Sequence, residues 1–299
     1  MIFRVSGVKQ MIAFVFPGQG SQKRGMGQGL FDEVREYVTV EKDVDAILGY
    51  SMRKLCLEDP DNRLKETQYT QPGLYVVNAL HHYNAVGQGV RPAYVAGHSV
   101  GEYDALLAAG VFDFLTGLKL VKKRGELMSQ AKNGGMAAVI GLGVIQIEKV
   151  IKERGLISID VANSNSPSQT VVSGPVEDIK RAGPFFREAG ARMYMPLPVS
   201  AAFHSRYVAD AAQAFADFLA PLTFTAPRIP VIANVTGRPY PTDDVSESVK
   251  SSLVKQITSP VEWTQSVRYL MSHGVTEIEE MGPGNVLRRL VQEIKDHPG

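Results

Sequence analysis

Short unbroken apolar runs alternate along this chain with longer stretches in which apolar residues recur every three or four positions. That is the pattern of strands buried in an α/β sheet and of the helices that cover them. Residues 12–16 (Ile-Ala-Phe-Val-Phe) and 94–97 (Tyr-Val-Ala-Gly) are the first two strands, and each runs into a glycine-containing loop. Between them residues 30–48 are expected as a helix stopped by Gly49. A second helix is expected to open with Thr70 as its N-cap and Pro72 in its first turn. Residues 74–80 of that helix are almost wholly apolar, which places it against the sheet, with His81 and His82 at its exposed end. Helices over 100–109, stopped by Gly110, and from 114 to about 132 complete the first half.

From residue 135 the elements shorten. Strand 136–142, helix 145–154, strands 157–162 and 169–173, helix 176–189 and strand 191–198 follow in the order β-α-β-β-α-β. Asn163-Ser164-Asn165-Ser166-Pro167 is a turn by composition. A helix over 206–219 follows, and then an edge-like strand over 229–235 with Pro230 near its start. Ser259-Pro260-Val261-Glu262-Trp263 opens another helix, and strand 275–280 leads through Gly282-Pro283-Gly284 into a closing one. The expected architecture is α/β: a large α/β-hydrolase-like domain (11–133 and 200–299) with an inserted small ferredoxin-like α+β subdomain (134–199). The cleft between the two is a natural substrate site. Residues 1–10 are an extension without the features of a secretory signal, and Met11 is an alternative start.

The chemistry centres on Gly97-His98-Ser99-Val100-Gly101, a Gly-x-Ser-x-Gly turn between a strand and a helix. A sharp turn there pushes the Ser99 hydroxyl out at the end of the sheet, and the two glycines remove collisions. The first N–H groups of the following helix face whatever sits over Ser99, as an oxyanion requires. The loop Pro17-Gly18-Gln19-Gly20-Ser21-Gln22 ends a neighbouring strand, where open α/β sheets bind ligands, and its spacing is neither a P-loop nor a dinucleotide fingerprint. Lys122 and Lys123 read as a solvated face. Arg124 lies three or four positions from Val121, Leu127 and Met128, which turns it partly inward, and an inward guanidinium suits a carboxylate. His204 follows Ser99 in the order of an α/β-type hydrolase and is the candidate base. No Asp between the two stands out as its partner, so a backbone carbonyl is the expected support for its ring.

Composition narrows the class. The chain has 299 residues and a formal net charge of +1. That balance leaves no electrostatic footprint for nucleic acid or an anionic membrane. No apolar run reaches the length of a spanning helix. A single cysteine, Cys56, rules out an internal disulfide and reads as a packing residue. His81 and His82 have no partners at metal-ligand spacing, so no metal site is expected. The expected location is the cytoplasm.

The motifs occur together and in order: Pro17-Gly18-Gln19-Gly20-Ser21-Gln22, Thr70-Gln71-Pro72, Gly97-His98-Ser99-Val100-Gly101-Glu102, Lys123-Arg124-Gly125, Asn165-Ser166-Pro167, Phe203-His204-Ser205, Ser259-Pro260-Val261-x-Trp263 and Gly282-Pro283-Gly284. From Met11 onward the chain resembles the malonyl-CoA:acyl-carrier-protein transacylase family, and within it the freestanding acyltransferases that serve polyketide synthases. The resemblance implies ping-pong transfer of malonyl from malonyl-CoA, through an ester on Ser99, to the phosphopantetheine thiol of an acyl carrier protein. It assigns His204 as base, the N–H groups of Gln19 and Val100 as oxyanion donors, Arg124 as carboxylate partner, and the carbonyl of Gln256 as the support of His204. Gln71 and His98 match positions that line the site. Phe203 before the histidine goes with malonyl rather than methylmalonyl, although Ala201-Ala202-Phe203-His204 lacks the leading His of many malonyl-specific relatives. No cofactor is implied, and a monomer is expected. A carrier-protein hydrolase of the same fold and the fatty-acid-synthesis transacylase are the alternatives. Carrier proteins of such enzymes are acidic, and Lys23 and Arg24 are expected to contribute basic surface at the site mouth.

Overall fold

Ile12–Phe16 forms strand β1, with Phe14 and Phe16 facing one core and Ala13 and Val15 the other. The computed structural model describes residues 10–297, so the extension expected at 1–10 lies outside the described residues except for Gln10. The single helix expected over 30–48 is three: α1 (Leu30–Glu33), α2 (Arg35–Val38) and α3 (Glu41–Leu48). Val34 makes the first break, buried with an extended backbone at ψ 101°. Gly49 does end α3, in the left-handed conformation at φ 82°. In α4 (Met52–Leu57) Cys56 is buried among packing residues.

Helix α5 (Thr67–Gly87) begins before Thr70, which therefore does not cap it. Its hydroxyl instead donates to the carbonyls of Leu64 (2.6 Å) and Glu66 (3.0 Å), and Pro72 falls in the second turn. His82 is buried rather than exposed, its ring edge-on to Phe14 and Phe16 with centroids 6.0 Å away in both cases. Burial pushes its imidazole down to about 4, so it packs as a neutral aromatic. Strand β2 (Tyr94–Gly97), α6 (Gly101–Ala108) and α7 (Phe114–Gln130) follow, and Asp113 caps α7 by accepting from Thr116 N at 2.7 Å.

The next six elements are β3 (Gly134–Ile140), α8 (Val144–Glu153), β4 (Asp160–Ser166), β5 (Gln169–Pro175), α9 (Val176–Glu188) and β6 (Met193–Pro196). Their strands form an antiparallel sheet in the order β4-β5-β3-β6. Both helices cover one face through Ile147, Ile179 and Phe186, while Met136, Ala138 and Val171 on the other face join the main core. Of residues 163–167, expected as a turn, 163–166 lie within β4, whose pairing with β5 is interrupted by register shifts. The turn is confined to the residues that follow, before Gln169.

After α10 (Ala209–Leu219) come β7 (Val231–Ala233), β8 (Arg238–Pro239), α11 (Val245–Thr258), α12 (Trp263–Ser272), β9 (Glu277–Glu280) and α13 (Val286–Asp296). The larger sheet runs β8-β7-β2-β1-β9 and is parallel except for the β7–β8 hairpin. That hairpin, absent from the expected pattern, makes β8 the edge and puts β7 inside the sheet. On one face lies the core that contains α5, α6 and α7; Trp263, Val267, Leu287 and Val291 of α12 and α13 cover the other. Among the described residues no helix is long and apolar enough to cross a membrane.

Close backbone approach sets the geometry at the end of β2. A Cβ on Gly97 would lie 1.9 Å from the Gly101 carbonyl oxygen, and one on Gly101 would lie 2.1 Å from that of Phe16. Gly97→Ala is expected to lose about 3 kcal/mol or more in urea unfolding. Gly87→Ala, on the exposed end of α5 with nothing within 4 Å, is expected to gain a few tenths. Equal stability of Gly97→Ala and the parent protein would refute the close approach.

Candidate active site

Ser99 sits between β2 and α6 with φ at 53°, a left-handed conformation that side chains other than glycine rarely take. Asn234, in the β7–β8 turn, holds it there. Its Oδ1 accepts from Ser99 N at 2.7 Å and its Nδ2 donates to the Gly97 carbonyl at 2.5 Å. Both polar groups of the strained turn are thereby satisfied, as burial demands.

The Ser99 hydroxyl lies 2.8 Å from His204 Nε2, and His204 Nδ1 lies 2.8 Å from the Gln256 carbonyl oxygen. A carbonyl only accepts, so Nδ1 carries the proton and Nε2 presents a lone pair to Ser99. Burial and the nearby Arg124 guanidinium push the imidazole down to about 3. It therefore stays neutral, and able to take a proton, throughout the physiological range.

Two residues lining the same cavity have unpaired backbone N–H groups. Those of Val100, the N-cap of α6, and of Gln19 donate to no protein group among the described residues. The Gln19 loop lies hard against the turn, since a Cβ on Gly18 would come within 2.4 Å of the His98 carbonyl oxygen. Asn78 pins the start of that loop by donating to the Pro17 carbonyl at 3.0 Å and to Asp104 at 2.9 Å.

Arg124 is turned fully inward, with 1% of its surface exposed. Its guanidinium donates to Gln71 Oε1 (2.8 Å), Gln256 Oε1 (3.0 Å) and Ser99 Oγ (3.2 Å). All three acceptors are neutral. Its Nε has no partner, and among the described residues no carboxylate forms an ion pair with it. A buried cation held by neutral acceptors alone keeps the capacity to pair with an anion.

The small sheet closes the opposite side. His98 Nε2 lies 2.8 Å from Asn165 Oδ1 on β4, and its ring meets Trp263 edge-on at 5.7 Å. Burial lowers the His98 pKa as well. Gln19, Gln71, His98, Ser99, Val100, Arg124, Phe203 and His204 all line one cavity of about 100 Å³. Met128, Met136, Leu197 and Val199 complete its apolar wall. Gln256 lies behind the cavity, under His204 and Arg124. Lys23 and Arg24 are exposed just past the Gln19 loop.

Three residues escaped the reading of the sequence. Asn234 was hidden in an unrecognised hairpin, and Asn163 and Asn165 sat in a segment whose composition signals a turn. The polar run in β4 is there because its inner side faces the cavity instead of an apolar core.

A family model described as the acyl transferase domain matches residues 13–294. The chain belongs to this acyl transferase family. The acyltransferase is 52% identical over 287 residues to the polyketide biosynthesis malonyl CoA-acyl carrier protein transacylase PksC of Bacillus subtilis, covering 95% of this chain and 97% of that one. A crystal structure of malonyl CoA-acyl carrier protein transacylase from Burkholderia pseudomallei superposes with a TM-score of 0.90 at 47% identity, covering 96% and 98% of the two chains. A type II PKS acyl-carrier protein in complex with its malonyl-transacylase contains a similar chain, with a TM-score of 0.89, 34% identity and coverage of 96% and 94%.

The depressed His204 of the acyltransferase has a measurable consequence. Labelling of Ser99 by a neutral fluorophosphonate is expected to hold constant from about pH 8 down to about pH 5. A loss of rate centred on the ordinary imidazole value of 6.5 would show that the ring is not depressed.

Proposed function

We propose that this acyltransferase moves a malonyl group from malonyl-CoA to the phosphopantetheine thiol of an acyl carrier protein through an ester on Ser99. The observation that carries the reading is Arg124, a buried guanidinium without an ion partner among the described residues, whose Nη2 donates to the nucleophile candidate at 3.2 Å. A carboxylate two bonds from a thioester carbonyl would reach Arg124 while that carbonyl sits over Ser99. The guanidinium would then gain the anion it lacks.

In the first half-reaction Ser99 Oγ attacks the thioester carbonyl as its proton passes to His204 Nε2. The tetrahedral oxyanion accepts from the N–H groups of Gln19 and Val100. Collapse breaks the carbon–sulfur bond, and the CoA thiolate takes the proton from His204. In the second half the carrier thiol gives its proton to His204 and attacks the ester; Ser99 leaves and recovers that proton. The Gln256 carbonyl steadies the imidazole throughout. Each step moves a proton or an acyl group and calls on no cofactor or metal.

Likeness to the PksC relative over nearly the whole of both chains favours a polyketide synthase as the system served, over fatty-acid synthesis. Phe203, in the wall of the same cavity as Arg124, favours malonyl over methylmalonyl by filling the space a 2-methyl group needs. The antiparallel order β4-β5-β3-β6 supports a ferredoxin-like reading of residues 134–199, inserted into an α/β-hydrolase-like unit of 11–133 and 200–299. The proposed location is the cytoplasm and the proposed state a monomer.

Intact-protein mass after mixing with malonyl-CoA tests the chemistry. The parent protein is expected to gain a malonyl adduct that Ser99→Ala lacks. Arg124→Ala is expected to load malonyl about 100-fold more slowly while its acetyl loading changes little. Release of free CoA and malonate with no adduct would mark a hydrolase instead. Methylmalonyl loading as fast as malonyl loading would overturn the role of Phe203.

The carrier surface is tested separately. Lys23→Glu with Arg24→Glu is expected to raise KM for the carrier protein about five-fold and leave self-acylation by malonyl-CoA unchanged. A parallel change in both would place these residues elsewhere than the docking surface.

A further inference from the structure

Glu102 is a buried carboxylate that the steps above do not use. It lies one turn past Ser99 on α6, with 1% of its surface exposed. Three donors from three other segments converge on it. Tyr240 Oη, just after β8, donates at 2.5 Å, Gln256 Nε2 of α11 also at 2.5 Å, and Asn234 N at 3.3 Å. The charged and titratable groups around it are Tyr240, Arg124 of α7, and Tyr103 on its own helix, whose ring lies 5.6 Å from the Arg124 guanidinium.

Gln256 connects this acid to the clamp. Its Nε2 donates to Glu102 and to the Ser99 carbonyl (2.9 Å), and its Oε1 accepts from Arg124 at 3.0 Å. A direct ion pair between Glu102 and Arg124 would have to be broken before a substrate carboxylate could bind. With one amide inserted between them, Glu102 offsets the buried positive charge without occupying the guanidinium donors.

We propose that Glu102 is a specificity-determining counter-charge: ionised, it holds Arg124 neutralised at a distance, and it takes up a proton when a substrate carboxylate docks there. The inference rests on the malonyl reading given above. Two buried anions cannot share one cation without a large electrostatic cost, and protonating Glu102 removes one of them. The proton comes from solvent, and the malonyl carboxylate stays ionised. Burial pushes the Glu102 carboxyl up to about 7, against the lowering effect of its hydrogen bonds and of Arg124. The two forms therefore exchange within the working range.

The sign follows. Below about pH 7 Glu102 is neutral and the clamp attracts malonyl fully. Above it the ionised Glu102 competes. Acetyl-CoA, which has no carboxylate, is indifferent to this change, and His204 titrates too low to intervene.

Self-acylation kcat/KM is measured with malonyl-CoA and acetyl-CoA on the parent protein, Glu102→Gln and Tyr240→Phe. The malonyl-to-acetyl ratio of the parent is expected to fall about ten-fold between about pH 6 and about pH 9. In Glu102→Gln, which keeps an acceptor for Gln256, the ratio is expected to be flat and to exceed the parent ratio at alkaline pH. A merely structural role would not tighten selection for malonyl. Tyr240→Phe removes a hydrogen bond that favours the carboxylate, so its midpoint is expected to move to higher pH. A flat parent ratio, or the same fall in Glu102→Gln, would overturn the proposal. An unmalonylated parent protein at every pH would instead overturn the function on which it rests, so the two failures are distinct.

Discussion

A positive charge is buried in this molecule with no carboxylate in contact among the described residues. Removing a guanidinium from water costs several kcal/mol, and neutral acceptors recover only part of it. The surrounding residues can be understood as the means by which Arg124 is kept in that state. Gln71 on α5 and Gln256 on α11 supply amide oxygens. Tyr103 lies beneath the guanidinium, and Glu102 stands one amide away. The same charge helps to keep His204 neutral. A change in any of these groups therefore reaches the others through the field of Arg124 as well as through contact.

The cost is tolerable because the backbone around the site is tightly held. Gly97, Gly101 and Gly18 let three backbone segments approach more closely than any side chain would permit. Asn234 and Asn78 satisfy the polar groups exposed by that approach. Preorganisation of this kind leaves the N–H groups of Gln19 and Val100 without protein acceptors among the described residues, and on the proposed mechanism they stabilise charge without reorganising.

How much of this could be read from the chain depends on the kind of constraint. The turn at Ser99 was legible because steric exclusion leaves glycine as its mark, and Arg124 because helical periodicity aims it inward. The β-α-β-β-α-β order was legible from alternation of pattern. Gln256 came only through family resemblance, since it supports His204 by a backbone carbonyl, which any residue possesses. Asn163 and Asn165 were misread because a strand edge that lines a polar cavity has the composition of a turn. The break at Val34 and the β7–β8 hairpin were missed for a related reason: each is decided by tertiary packing over a few residues, too few for periodicity to register. His82 shows the limit of polarity as a guide, since a neutral imidazole packs between phenylalanines as an aromatic ring.

Among the described residues the group behind His204 is a carbonyl and not an acid, a choice that fits the same buried charge. In a Ser-His-Asp arrangement the carboxylate orients the ring and stabilises the imidazolium. Here the group behind the ring is Gln256, and its side chain already touches Arg124 at 3.0 Å. An ionised acid at that place would be drawn to the guanidinium and would occupy the donors that a substrate carboxylate needs. A backbone carbonyl orients the ring equally well and brings no net charge. The arrangement gives up some stabilisation of the imidazolium, and in exchange Arg124 keeps clear of a competing carboxylate. On the proposed function, a cavity that binds an anionic acyl group beside Ser99 is better served by a carbonyl than by the acid of a full triad. The buried acid Glu102 accordingly stands on the far side of an amide from Arg124.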